Sequence, residues 1–266
     1  KYRLKTVKLR GVVSQGLALP VSSFPQIKVY DIGGDVTDIL EVEKYEPPIP
    51  ASLGGDVNRF TWPISKTDEE RIQNLPDVIN EIKGKPYYIS IKLDGSSASF
   101  MLAKSDNGEI GFHACSRNYS IKRKEGNTIW EIVDKYDIEK KLKDWFISTG
   151  EMLAIQGEIV GPGIQKNKLN LPDHQLYIFN IVDVETNEKK HFDSMIGMFT
   201  NIPMVPVLES GESFPYENME EVLKLAEGKY KDHIESAIAK QERECIVIRS
   251  KDQSISFKAI SNRFLL

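Results

Sequence analysis

The stretch Pro86-Tyr87-Tyr88-Ile89-Ser90-Ile91-Lys92-Leu93-Asp94-Gly95 runs β-branched and aromatic residues up to a lysine and closes on an Asp-Gly turn signal. A second strand is predicted over Ala98–Ala103, a hairpin turn at Asp106-Asn107-Gly108 and a third strand over Glu109–Cys115, together an antiparallel meander. Downstream, apolar residues from Ile129 to Phe146 recur at helical spacing, so one helix is expected over Thr128–Thr149 with Gly150 as its cap. Strands follow at Met152–Val160 and Leu176–Val184, helical stretches at Glu217–Glu227 and Lys231–Lys240, and strands at Glu244–Ser250 and Ile255–Ser261. Upstream, a first strand is expected at Thr6–Val13, and the Pro- and Gly-crowded stretch Glu46–Pro63 reads as an irregular connection. Sequential antiparallel strands with helices segregated between them indicate an α+β chain rather than a doubly wound sheet.

The composition excludes several classes. With 266 residues, 40% hydrophobic and 28% charged, the chain is neither disordered nor fibrous. No apolar run approaches the ~20 residues of a membrane span, and Lys1-Tyr-Arg-Leu-Lys5 lacks a signal core, so an intracellular setting, cytoplasmic or nuclear, is expected. Cys115 and Cys245 form no Cys-x-x-Cys motif and are expected to be reduced. The net charge of −4 excludes coating nucleic acid by bulk charge, though Lys1–Arg10 holds five bases and no acid while Asp31–Glu70 holds ten acids against three bases. Gly161-Pro162-Gly163 is neither a dinucleotide fingerprint nor a P-loop, and His113, His174, His191 and His233 have no metal-ligand spacing.

Four charged residues stand instead in otherwise apolar strands: Lys92, Glu158, Glu244 and Lys258. A single lysine in a strand is usually an edge residue with its ammonium in water. Four such residues point to one pocket, and two lysines with two acids suit a polyphosphate and a divalent metal.

In order, Lys92-Leu-Asp94-Gly95-Ser96, Ser116-Arg117-Asn118, Gln156-Gly157-Glu158, Leu176-Tyr177-Ile178-Phe179, Glu244-Cys245-Ile246-Val247 and Phe257-Lys258 resemble the motifs of the covalent nucleotidyltransferases, the superfamily of polynucleotide ligases and mRNA capping enzymes. Ser96-Ser97 is similar to RNA ligases, and the segments Lys66–Asn74 and Gly157–Asn167 resemble nick-sealing RNA ligases that carry an N-terminal OB domain. The resemblance implies a ligase adenylation fold, antiparallel sheets flanked by helices with the nucleotide between the sheets. It implies ATP-dependent RNA ligation with Mg²⁺ or Mn²⁺: Lys92 attacks the α-phosphorus of ATP, AMP passes to a 5′-phosphate, and a 3′-hydroxyl displaces it. Covalent catalysis divides one hard condensation into easier displacements.

Lys92 must lose its proton to attack, and a free lysine, with a pKa of ~10.4, rarely does so near neutrality. Lys258 and a bound metal would favour the amine, whereas a close Asp94 would oppose it, which places the role of Asp94 later, near the metal or the 3′-hydroxyl. By resemblance, Glu158 accepts from a ribose hydroxyl or meets the metal, Phe179 stacks on adenine, Arg117 contacts ribose or the acceptor end, Arg71 contacts phosphate or AMP, Glu244 binds the hydrated metal and Lys258 grips the α-phosphate. Two positions depart from the pattern: Cys245 stands where glycine is usual, and Ser256 takes the first place of a Lys-x-Lys pair.

The whole of 1–266 is expected to be the nucleotidyltransferase core of a monomer, with the OB module absent and reaction with ATP therefore weaker than with pre-adenylylated ends. The acceptor is expected to be RNA or a nicked duplex with 3′-OH and 5′-phosphate ends. A DNA ligase or capping-type enzyme is the alternative, told apart by nucleotide and acceptor. A non-catalytic nucleic-acid-binding module is the other, its basic stripe formed by Lys1, Arg3, Lys5, Lys8 and Arg10 with Lys122-Arg123-Lys124.

Overall fold

The computed structural model describes residues 7–9, 12–14, 18–27, 32–42, 55–58, 63–105 and 108–265. The N-terminal basic run, apart from the backbone of 7–9, most of the 46–63 connection and Asp106-Asn107 of the expected turn lie outside them. By internal contacts the chain divides into two compact units, Lys1–Gly54 and Gly55–Leu266.

In the first unit, β1 (Val7–Leu9) and β2 (Val12–Ser14) pair antiparallel with Lys8 opposite Val13, so two short paired strands stand where a single strand is expected over 6–13. Single 3₁₀ turns follow at Val21–Ser23 and Pro25–Ile27.

The second unit runs β3 (Val57–Asn58), α1 (Val78–Ile82), β4 (Tyr87–Lys92), β5 (Ser96–Lys104), β6 (Ile110–Ser116), β7 (Ser120–Ile121), α2 (Thr128–Lys135), α3 (Ile138–Thr149), β8 (Leu153–Val160), β9 (Gln175–Asp183), α4 (Phe192–Met195), β10 (Val207–Gly211), α5 (Met219–Ala226), β11 (Cys245–Ser250), β12 (Ser256–Ile260) and α6 (Asn262–Leu265). Its strands form two antiparallel sheets, one ordered β10-β4-β11-β12 and the other β3-β7-β6-β5-β8-β9. The α+β expectation therefore holds.

The expected meander holds only in part: β5 and β6 pair antiparallel, but β4 does not join them. β4 belongs to the four-stranded sheet and β5 to the six-stranded one, so Asp94-Gly95 is a crossing between sheets and not a hairpin turn. The reason is burial on both faces of β4. Tyr87 and Ile89 join Ile246, Ile248, Phe257 and Ala259 in an apolar layer with residues of α1 and α5, while Tyr88 packs into the layer of the second sheet. A strand apolar on both sides gains most as a central strand.

The helix expected over 128–149 is two helices, because Asp137 takes a left-handed backbone (φ 52°) that Asp tolerates better than most residues. Asn127 caps α2, accepting from the backbone N–H of Ile129, and Gly150 (φ 79°) ends α3 as expected. Ile132, Val133, Ile138 and Leu142 bury the two helices against the six-stranded sheet. The helix expected at 231–240 does not form beyond a 3₁₀ turn at Tyr230–Asp232. Its backbone closes isolated turns instead, Ile234 N–H to the Tyr230 carbonyl and Ala237 N–H to that of Ile234, while Ile238 N–H bonds the Lys168 carbonyl on a distant segment.

Candidate active site

Residues directly opposite in a ladder share a face. Lys92 lies opposite Cys245, and Lys258 opposite Val247, which in turn opposes Ser90. The inner face of the four-stranded sheet thus carries Lys92, Ser90 and Tyr88, then Cys245, Val247 and Arg249, then Ser256, Lys258 and Ile260. On the second sheet Glu158 sits between Ser97 and Tyr177, and Gln156 between Ser99 and Asn180. Glu158 and Lys92 are within electrostatic reach of one another, as are Asp94 and Glu244 with Glu158. Around Cys245 the charges of Lys92, Glu244, Lys258 and Asp94 meet. The charged residues singled out from the apolar strands therefore converge.

Phe179 reaches this face through a β-bulge. The register of β8 and β9 shifts between Gln156, opposite Asn180, and Gly157, opposite Ile178, leaving Phe179 with no opposite residue. Bulges re-aim side chains beside functional sites. Phe179 packs against the apolar cluster that contains Ile91, Leu93 and Val160. Gly157 is required there: a Cβ would lie 2.6 Å from Leu176 Cδ1 and 2.7 Å from the Tyr177 carbonyl oxygen.

Glu158 is largely buried and accepts a hydrogen bond from the Gly95 N–H at 3.0 Å. Burial pushes its carboxyl up to about 7 against the pull of Lys92 and this hydrogen bond, with Asp94 and Glu244 adding to the rise. Asp94 is ion-paired with Lys168. Burial likewise pushes the Cys245 thiol up to about 12, so it sits in the site as an inert neutral group. The Tyr230 hydroxyl donates to the Lys92 carbonyl oxygen at 3.3 Å.

Arg71 is exposed, but its backbone bridges to Lys258, and the Lys258 N–H donates to the Glu70 carbonyl at 2.8 Å, docking this segment on the edge of β12. Arg117, just past β6, forks onto both oxygens of Asp68 at 2.7 Å and lines a small crevice with Lys66, Thr67, Ser97, Ser99 and Gln156. Of the proposed basic stripe, Lys124 pairs with Asp56, and Arg123 pairs with Asp134 and lies over the Trp130 ring.

Four neighbours of the site escape sequence reading: Lys168, Tyr230, Glu69 and Arg249. Arg249 carries the same signal that singles out Lys92, a charge in an apolar strand, and could have been found by it. Lys168 lies one residue beyond the Gly157–Asn167 segment.

Among the described residues no group of three or more His, Cys, Asp or Glu is placed to hold a metal. The donor set still fits a hydrated divalent cation, because the Glu158 and Glu244 carboxyls lie within electrostatic reach of one another and a cation between them would relieve their repulsion. Mg²⁺ takes only one or two carboxylates and fills its shell with water and phosphate oxygens.

The RNA ligase family profile matches residues 85–264. Among solved structures, Naegleria gruberi RNA ligase with pyrophosphate is 34% identical, with a TM-score of 0.68 over 99% of this chain and 75% of that one. A mutant of that enzyme with AMP and Mn and another with ATP and Mn are each 33% identical, with TM-scores of 0.68, covering 99% of this chain and 76% of theirs. No curated protein sequence matches.

Proposed function

Because the chain belongs to the RNA ligase family, we propose that it seals RNA with ATP by carrying adenylate on Lys92. It is an ATP-dependent RNA ligase that uses a divalent metal. The observation that carries the residue assignment is the convergence of Lys92, Glu158, Glu244 and Lys258 from two facing sheets.

In the first step the Lys92 amine attacks the α-phosphorus of ATP, an N–P bond forms, the bond to the β-phosphate oxygen breaks and pyrophosphate leaves. Lys258 lies on the same face, one strand beyond β11, suited to hold the α-phosphate. Phe179 offers its ring to adenine and Glu158 an oxygen to ribose. Glu244, with Glu158, would hold Mg²⁺ or Mn²⁺, whose charge neutralises phosphate oxygens when bound. In the second step AMP passes to the RNA 5′-phosphate, and in the third the 3′-hydroxyl attacks that phosphate and AMP departs. Asp94, held by Lys168, belongs to these later steps, and Arg71 and Arg117 to phosphate and acceptor contacts.

The finer reading is a monomer that acts on nicks with 3′-OH and 5′-phosphate ends. The likeness of 66–74 and 157–167 to nick-sealing ligases supports the nick. An intracellular setting, cytoplasmic or nuclear, is supported by the two buried free cysteines. Incubation with α-labelled ATP and Mg²⁺ or Mn²⁺, followed by denaturing electrophoresis, tests the assignment. Wild type gains label and Lys92→Ala does not; label retained by Lys92→Ala would overturn it.

A further inference from the structure

We propose that Arg249 is the residue that sets the position of Phe179, and through it the affinity for the nucleobase. The inference rests on the reading of Phe179 as the adenine platform.

Arg249 projects from β11 into the space between the sheets and is only 3% exposed. Its Nη1 donates to the carbonyl oxygen of Phe179 at 2.8 Å, to Asn180 Oδ1 at 2.9 Å and to the Tyr88 hydroxyl at 3.1 Å. Nη2 donates to Glu69 Oε1 at 2.6 Å and Nε to Ser256 Oγ at 3.1 Å. The Ser256 hydroxyl donates in turn to the other Glu69 oxygen. One side chain thus ties together β4, β12, the segment before Arg71 and the bulge itself.

The bulge is what gives this arrangement a role beyond stability. Phe179 has no opposite residue in β8, so the ladder does not fix its backbone. The guanidinium grips that carbonyl and the side chain of the next residue, clamping the peptide that aims the ring. A buried ion pair adds little to stability over apolar packing, so a purely structural need would be met as well by an aliphatic side chain. A planar fork that fixes several acceptors at once is what positioning requires.

Arg249→Lys keeps the charge beside Glu69 and loses the fork. The expected result is a rise of about ten-fold in the KM for ATP in self-adenylylation, within the range that base stacking supplies, with a smaller change in the rate at saturating ATP. The KM for pyrophosphate in the reverse reaction should stay near wild type, since pyrophosphate has no base to stack. In a Phe179→Ala background Arg249→Lys should add nothing further, because its effect passes through that ring. An unchanged KM for ATP in Arg249→Lys, or effects of the two changes that multiply, would overturn the positioning role and leave the site reading intact. If Phe179→Ala alone leaves the KM for ATP at wild type, the platform reading falls and the inference with it. Should Arg249→Lys not fold, Glu69→Gln, which loosens the guanidinium at its far end, must give the same pattern.

Discussion

Lys168 reaches from the loop after β8 to ion-pair with Asp94, the two side chains being 16% and 20% exposed. The carboxylate two residues from the candidate nucleophile is thereby occupied by another cation. An unoccupied Asp94 would stabilise Lys92 as the ammonium and oppose attack. Lys168→Met should therefore slow self-adenylylation, and Asp94→Asn added to it should restore the rate. Labelling time courses on the single and double variants check this, and a double variant no faster than Lys168→Met would refute it.

Gly95 has no room for a side chain. A Cβ there would lie 2.3 Å from the Ile159 carbonyl oxygen and 2.9 Å from Glu158 Cγ. Gly95→Ala should push the crossing away from β8, weaken the Gly95 N–H bond to Glu158 and cost about 1–3 kcal/mol of stability, as overpacking typically does. Chemical denaturation measures the stability, and adenylate labelling should be lost by a larger factor than the folded fraction.

Glu158 makes stability depend on pH in a definite direction. Its carboxyl rises from the ordinary 4.5 to about 7, so it contributes stability that is fully present below about 4.5 and is lost as the pH climbs through about 7. In metal-free buffer Glu158→Gln should match wild type closely near pH 5 and melt at a higher temperature near pH 8, where the wild-type carboxylate is buried and charged. Thermal melts across that interval decide it; a Glu158→Gln advantage confined to the acid side would contradict the assignment.

Ser256 looks like a missing lysine in the sequence, yet its hydroxyl bonds Glu69 and accepts from Arg249. Glu69 is the carboxylate that balances Arg249, and Lys189 also lies within its reach. Against the penalty of burial, these two cations and Ser256 hold Glu69 below its ordinary range. Ser256→Lys adds a third cation to one buried carboxylate and should destabilise by about 1–3 kcal/mol rather than speed the first step. Melting curves and labelling rates for this variant separate the outcomes.

Strand content, the α+β class and the charged residues that the sheets bring together were legible because each leaves a local mark. β4, β5, β8 and β9 read as apolar runs bounded by turns, and Lys92, Glu158, Glu244 and Lys258 stand out as charges that an apolar strand does not need. The helix break at Asp137 left no such mark, since Asp is compatible with both a helix and a left-handed turn. The 231–240 stretch has helical apolar spacing, but its backbone breaks into isolated turns and Ile238 N–H bonds the distant Lys168 carbonyl.

The sequence by itself singled out the candidate reacting groups, because a lysine or carboxylate in an apolar strand must be paired, solvated or used, whatever the fold. Only the tertiary structure decided who faces whom. That β4 leaves its hairpin neighbour for another sheet, that Lys168 and not Lys92 holds Asp94, and that Arg249 grips the bulge at Phe179 are all contacts between residues far apart in the chain. No local pattern encodes them, since they follow from burying both faces of β4 and from pairing Asp94 and Arg249 with partners brought in from distant segments.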